Sequence, residues 1–151
     1  MVYPDTFFDR VKYVGWRFYT PFHPFFRDIF VWLGIQYVLR KLRILRYRGR
    51  QDYLLGTLAP DESFREFIAF LLGEGYGNHF IAWKDDGQVA SLRKTLDFRY
   101  QYHIRIFADG EVRGHYEYTP ECRPWLHLKS VGQEPAHDVF EELLRGRVLP
   151  A

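Results

Sequence analysis

Residues 98–118 alternate between two kinds of side chain around Asp109-Gly110, and no other feature constrains the fold more. Asp-Gly between apolar runs indicates a β-hairpin. A two-residue turn would mix apolar and charged side chains on both faces of that hairpin. A three-residue loop, 108–110, with a left-handed glycine pairs Ile106 with Val112 and separates the two kinds of residue. The sequence therefore predicts the three-residue loop.

One face of the predicted hairpin is polar, and the opposite face carries aromatic and aliphatic residues that must pack against helices. His103 lies opposite His115 on the polar face, and Arg105 lies opposite Arg113. Like charges directly across a strand pair destabilise it, so this arrangement predicts a compensating anion. The predicted anion-binding residues are His103, Arg105, Arg113, His115 and Glu117.

Two other interpretations of the polar face stay open. Glu111 and Glu117 balance the two arginines, which is typical of a solvated, salt-bridged surface. Alternatively, His103, His115 and Glu117 supply the two imidazoles and one carboxylate of an open metal site. The loop from Thr119 to Leu128 is the natural cover of this face, and folding it back would bring Glu121 and His127 to the site.

The remaining pattern predicts an α+β fold, in which an antiparallel sheet of about five strands packs against helices. We expect a single domain over 1–151, with an N-terminal helical segment over 1–46 and a sheet with two helices over 47–151. Near the N-terminus the sequence predicts a helix that begins at Asp5 and Thr6 and ends at Pro21, and an apolar helix from Phe25 to about Leu45. A strand over Asp52–Leu58 follows, and then a helix that has a Ser63–Glu66 capping box and ends at Gly73. The last predicted elements are a hairpin turn at Asp85–Gly87 and a closing helix that ends at Gly146.

A basic segment follows the apolar helix and has no acidic residue. It holds Arg40, Lys41, Arg43, Arg46, Arg48 and Arg50. Basic residues late in a helix complement the helix dipole. They also suit a nucleic-acid backbone or an anionic membrane surface, and a protein partner for the apolar helix is a further alternative.

No catalytic signature accompanies these features, and Cys122 is the single cysteine, so neither a disulfide nor a multi-cysteine zinc site is expected. The sequence favours a non-catalytic binding or adaptor protein for an anionic partner, a nucleic acid or a phosphate-bearing ligand, with no cofactor or metal assigned. The alternatives are a phosphate-ester hydrolase or nuclease that uses the His/Arg face, and a structural subunit that docks through its N-terminal helix. We expect a cytoplasmic protein, or one peripheral to a membrane.

Overall fold

The computed structural model describes residues 7–22, 25, 29, 33–43, 50–78, 85–123, 126–127 and 132–151. Its helices are α1 (Phe7–Tyr19), α2 (Ile35–Lys41), α3 (Phe64–Gly73) and α4 (His137–Leu144), with 3-10 turns at Thr20–Phe22 and Gln51–Tyr53. Its strands are β1 (Leu54–Leu58), β2 (Gly77–Asn78), β3 (Gln88–Thr95), β4 (Tyr100–Phe107), β5 (Glu111–Tyr118) and β6 (Val148–Pro150).

The strands form one antiparallel sheet in the order β2-β3-β4-β5-β1-β6. The predicted α+β class is confirmed. The sequence pattern did not reveal β6, because three residues that include Pro150 are too short to show alternation. This strand pairs with β1, and Leu149 lies opposite Thr57.

The β4–β5 hairpin has the register of the three-residue loop. Ile106 pairs with Val112, and Tyr102 pairs with Tyr116. Gly110 has φ 85°, a left-handed conformation that glycine adopts without steric cost, and its N–H donates to the carbonyl of Phe107. The hairpin therefore has one apolar face and one polar face.

The apolar face packs against α3 and α4. Ile104, Ile106 and Val112 are fully buried there and join a core that also contains Leu58, Phe67, Leu71, Tyr76, Leu92, Phe140, Leu144 and Val148. Gly114 allows β5 and α4 to approach closely, since a Cβ atom at that position would lie 2.9 Å from the ring of Phe140. The absence of a side chain at Gly114 thus lets α4 pack closely against β5.

Local signals placed α3 correctly. Ser63 is its N-cap, and the predicted reciprocal capping box with Glu66 is present. The helix ends at Gly73, and Gly75 follows with φ 88°. At the first Asp-Gly turn, Gln88 N–H donates to the carbonyl of Asp85, but the strand expected before this turn lies outside the described residues.

The N-terminal prediction needs a correction. The helix expected from Phe25 to about Leu45 is not continuous, because Leu33 and Gly34 form a turn in which Gly34 has φ 69°. Phe25 and Ile29 are helical before this turn, and Ile35–Lys41 forms α2 after it, whereas Asp5 and Thr6 lie outside the described residues. Within the described ranges, no helix is long and apolar enough to cross a membrane.

Candidate functional site

The polar face of the hairpin is buried. His103 is 6% exposed, His115 3% and Glu117 1%, and Gln101 is fully enclosed. The interpretation of this face as a solvated surface is therefore wrong. Charged and polar groups in such a place are stable only when they are paired or hydrogen-bonded, so each contact on this face has an energetic consequence.

The carboxylate of Glu117 is the centre of the cluster. Its Oε1 accepts a hydrogen bond from Gln101 Nε2 at 2.8 Å and lies 3.3 Å from His103 Nδ1. Its Oε2 accepts from Gln133 Nε2 at 2.8 Å and lies 3.1 Å from His115 Nε2 and 3.2 Å from His127 Nδ1. Two amides thus orient a carboxylate that three imidazoles surround.

His115 is held by stacking. Its ring lies 4.6 Å from that of Tyr53 with 27° between the two planes, and Tyr53 is fully buried. Within the part of the chain that the structure describes, neither ring nitrogen of His115 makes a well-aligned hydrogen bond, although its Nε2 lies 3.1 Å from Oε2 of Glu117. A buried imidazole without a well-aligned hydrogen bond is costly and calls for an explanation.

His103 is held at both nitrogens. Its Nε2 lies 2.8 Å from the hydroxyl oxygen of Ser91 on β3, and its Nδ1 faces Glu117. Its ring meets that of His115 edge to face, with 5.0 Å between the centroids. The hydroxyl of Ser91 therefore fixes the orientation of His103 while Nδ1 points into the cluster.

Burial and mutual charge set the protonation states of the four groups. Burial lowers the pKa of His103 to about 4, despite the nearby Glu117, and lowers the pKa of His115 as well. Burial alone would raise the pKa of Glu117, but its interactions with His127 and His115 and a hydrogen bond from His103 hold it well below its usual value. Glu117 in turn raises the pKa of His127, against the effect of burial. At neutral pH the cluster thus offers two neutral imidazoles and an ionised carboxylate.

The donor atoms of His103, His115 and Glu117 all lie within 4.8 Å of one another. Ligands that each sit about 2 Å from one ion are about 3 to 4 Å apart. The side chains would have to close by about an ångström to share a metal ion.

The two arginines of the predicted anion site face carboxylates of the protein itself. Arg105 pairs with Asp85 at 2.8 Å, and Arg113 pairs with Glu111 and donates to the carbonyl of Arg50 at 2.9 Å. They lie opposite each other as predicted. Their like charges are compensated within the fold, so the cross-strand pairing by itself does not require an anion.

The basic segment divides into two parts. Lys41 and Arg43 are exposed, whereas Arg50 turns toward the sheet, donates to Tyr53 Oη at 2.6 Å and lies over the Tyr53 ring. Arg46 and Arg48 lie outside the described residues, and Arg40 is placed only as a backbone position in α2. Arg50 therefore lies at the edge of the buried cluster, where it is partly exposed and contacts Tyr53.

The predicted approach of the C-terminal loop is confirmed at two positions. His127 contacts Glu117, and Glu121 pairs with Arg93 at 2.7 Å beside His103. Sequence reasoning missed Tyr53, Ser91 and Gln133. Of these three residues, only Ser91 could have been found, because it lies opposite Arg105 on the polar face once β3 is paired with β4.

Comparisons with models of protein families, with curated proteins and with solved structures find no match to this chain. The function must therefore be argued from the geometry of this cluster.

Proposed function

We propose that this protein binds a divalent first-row transition metal ion through His103, His115 and Glu117. One observation carries the proposal: donor atoms of two buried imidazoles and a buried carboxylate lie within 4.8 Å of one another, and among the described residues the ring nitrogens of His115 make no well-aligned hydrogen bond. A metal ion would satisfy one of these nitrogens. The groups that converge on it are the ligand types that such ions prefer.

The donor set suits Zn²⁺, Fe²⁺ or Mn²⁺. Imidazole nitrogen binds zinc and iron well, and carboxylate oxygen extends the range to manganese. Three protein ligands leave at least one position for water or a small ligand, as in open catalytic sites. The protonation states fit as well, since metal ligands must be deprotonated and these residues need lose no proton at neutral pH.

Neighbouring groups hold the three ligands in place. Ser91 orients His103, Tyr53 stacks on His115, and Gln101 and Gln133 fix Glu117. Such partners determine which nitrogen faces the metal and typically change affinity by about 10- to 100-fold when they are replaced. His127 donates Nδ1–H to the carbonyl of Tyr118, so we assign it the role of balancing the charge of Glu117.

Ser91, His103 and Glu117 also contact one another in the order of a serine hydrolase triad, which raises an acyl-transfer enzyme as a second candidate, distinct from the phosphate-ester hydrolase predicted from the sequence. The surroundings of Ser91 weigh against that alternative. Ser91 lies within β3 and pairs with Arg105 of β4, whereas a nucleophile elbow places its serine on a sharp exposed turn. We therefore interpret Ser91 as a support for His103.

The decisive experiment measures metal affinity on protein stripped with a chelator. We expect Co²⁺ or Zn²⁺ to bind at one site per chain by calorimetry, and His115→Ala to lower the affinity by at least about a hundredfold, more than the loss of a supporting partner would. His137→Ala is the matched control, because His137 is exposed on α4 away from the cluster. Equal affinity in His115→Ala and wild type would reject the proposal.

Folding must be checked in the same samples. Circular dichroism in chelator shows whether His115→Ala retains the fold, and Ser91→Ala provides a second variant with an intact ligand set. We expect Ser91→Ala to bind metal about tenfold more weakly. A Ser91→Ala protein that binds like wild type would remove the orienting role assigned to this hydroxyl.

The anion-binding function predicted from the sequence is tested beside it. Because Arg105 and Arg113 already pair with carboxylates, the metal proposal expects no stabilisation of the metal-free protein by phosphate. Thermal unfolding with added phosphate, on wild type and on Arg105→Gln/Arg113→Gln, separates the two functions. Stabilisation that this double variant abolishes would favour the anion site.

A further inference from the structure

Helix α1 presents a row of exposed apolar side chains. Phe7 is 75% exposed, Val14 64% and Phe18 78%, and Val11 is more than half exposed. Their spacing of four, three and four residues places all four on one side of the helix. Water-exposed apolar rows of this kind mark interaction surfaces.

The same part of the chain exposes further apolar residues beyond this row. Tyr37, Val38 and Leu42 in and after α2 are each more than half exposed, as are Phe8, Phe22, Phe25 and Leu33. Elsewhere in the described structure, few large apolar side chains are exposed to this extent. The most exposed are Leu149 and Leu72, which are about half exposed. Among the described residues, the exposed apolar surface is thus concentrated in those between positions 7 and 43.

Charge is distributed in the same way along the sequence. Residues 1–50 contain ten basic and three acidic residues, a formal charge of +7, whereas residues 51–151 contain eleven basic and sixteen acidic residues, a formal charge of −5. Arg10 and Arg17 follow Phe7 and Val14 by three positions, so they flank the apolar row, and both are exposed. Lys41 adds exposed positive charge at the end of α2.

We propose that α1 docks on an anionic membrane surface, with its apolar row inserted among the lipids and the flanking Arg10 and Arg17 at the headgroups. An amphipathic helix with Phe on one face and Arg or Lys beside it is typical of helices that lie in the membrane interface. The negative charge of residues 51–151 directs the sheet away from the surface.

The pattern favours lipid over nucleic acid. Binding along a phosphate backbone needs basic and stacking residues, but it gives no role to a continuous aliphatic and phenyl row. A lipid surface uses both properties, since it buries the apolar row and attracts the basic residues. This inference does not depend on the metal site, which lies in the sheet.

The test is co-sedimentation of the full chain with vesicles. We expect binding to vesicles that contain phosphatidylglycerol and little binding to pure phosphatidylcholine. Val11→Gln/Val14→Gln/Phe18→Gln should lower the partition coefficient at least tenfold. Arg10→Gln/Arg17→Gln should lower it about fivefold for each residue replaced, the effect of about 1 kcal/mol per basic residue.

The matched control is Leu72→Gln/Leu149→Gln, which removes apolar side chains that are about half exposed in α3 and β6. We expect it to bind vesicles as wild type does, and thermal unfolding should show that every variant retains the folded sheet. Vesicle binding unaffected by the α1 triple variant would overturn the proposal. The proposal would also be overturned if the wild-type protein bound homopolymeric RNA but neither kind of vesicle.

Discussion

His103 lies directly opposite His115 across the β4–β5 pair, and both rings lean toward the carboxylate of Glu117 on β5. The register of the hairpin alone brings the two imidazoles together. Because both imidazoles are buried, neither can replace its protein neighbours with water, and the contacts between them therefore affect stability.

Replacing Glu117 with glutamine should damage both metal binding and stability. The change keeps the shape of the side chain but removes the negative charge that balances His127. It also places an amide NH₂ group, which can only donate, against the donating NH₂ of Gln101 or Gln133. We expect the metal-free protein to lose about 3 kcal/mol, as when a buried ion pair is broken. Urea unfolding in chelator measures this.

The control for that variant is Glu141→Gln, which changes an exposed carboxylate on α4. A surface change of this kind usually alters stability by less than about 0.5 kcal/mol. If Glu117→Gln is no more destabilising than this control, Glu117 is not the buried centre described above.

Acid should destabilise the metal-free protein in a defined window. Because burial lowers the pKa of His103 to about 4 and lowers that of His115, the unfolded chain takes up protons more readily than the folded protein between pH 6.5 and pH 4. The free energy of unfolding should therefore fall across this window as pH drops, by on the order of 3 kcal/mol for His103. Chemical denaturation at several pH values in chelator measures the slope.

A His103→Gln variant should have a shallower slope over the same range, and His137→Gln should keep the slope of wild type. His127 acts with the opposite sign, since its pKa is raised and its contribution is lost as pH rises above 6.5. A slope that is identical in His103→Gln and wild type would contradict the assignment.

Adding one methyl group at Gly114 should destabilise the protein. The new Cβ would lie 2.8 Å from Leu55 Cδ1 and 2.9 Å from the ring of Phe140. Overpacking of this kind typically costs about 1 to 3 kcal/mol. Gly73→Ala, where nothing lies within 4 Å of an added Cβ, is the matched comparison in thermal unfolding and should show no comparable loss.

Tyr53 should contribute mainly through its ring. Tyr53→Phe keeps the stack on His115 and loses the contact with Arg50, so we expect a loss of about 1 kcal/mol. Tyr53→Ala removes a fully buried ring and should cost about 3 to 5 kcal/mol. If urea unfolding shows the same loss of stability for both variants, the hydroxyl of Tyr53 and not its ring makes the main contribution to stability.

Local chemistry made much of the fold predictable. The hairpin register follows from alternation and from the left-handed glycine at 110, and α3 follows from its capping box. One failure also has a local origin. The apolar run from Phe25 was continuous enough to predict one helix, but Gly34 interrupts it at a left-handed turn.

The sequence by itself determined which side chains share the polar face, because strand alternation is a property of neighbouring residues. Only the tertiary structure decided that this face is buried and that Tyr53, Ser91 and Gln133 complete it. The contact between Arg50 and Gln133 joins residues 83 positions apart, and the contact between Arg113 and Arg50 spans 63. Contacts of this range depend on how separate elements pack, and no periodicity in the chain encodes them.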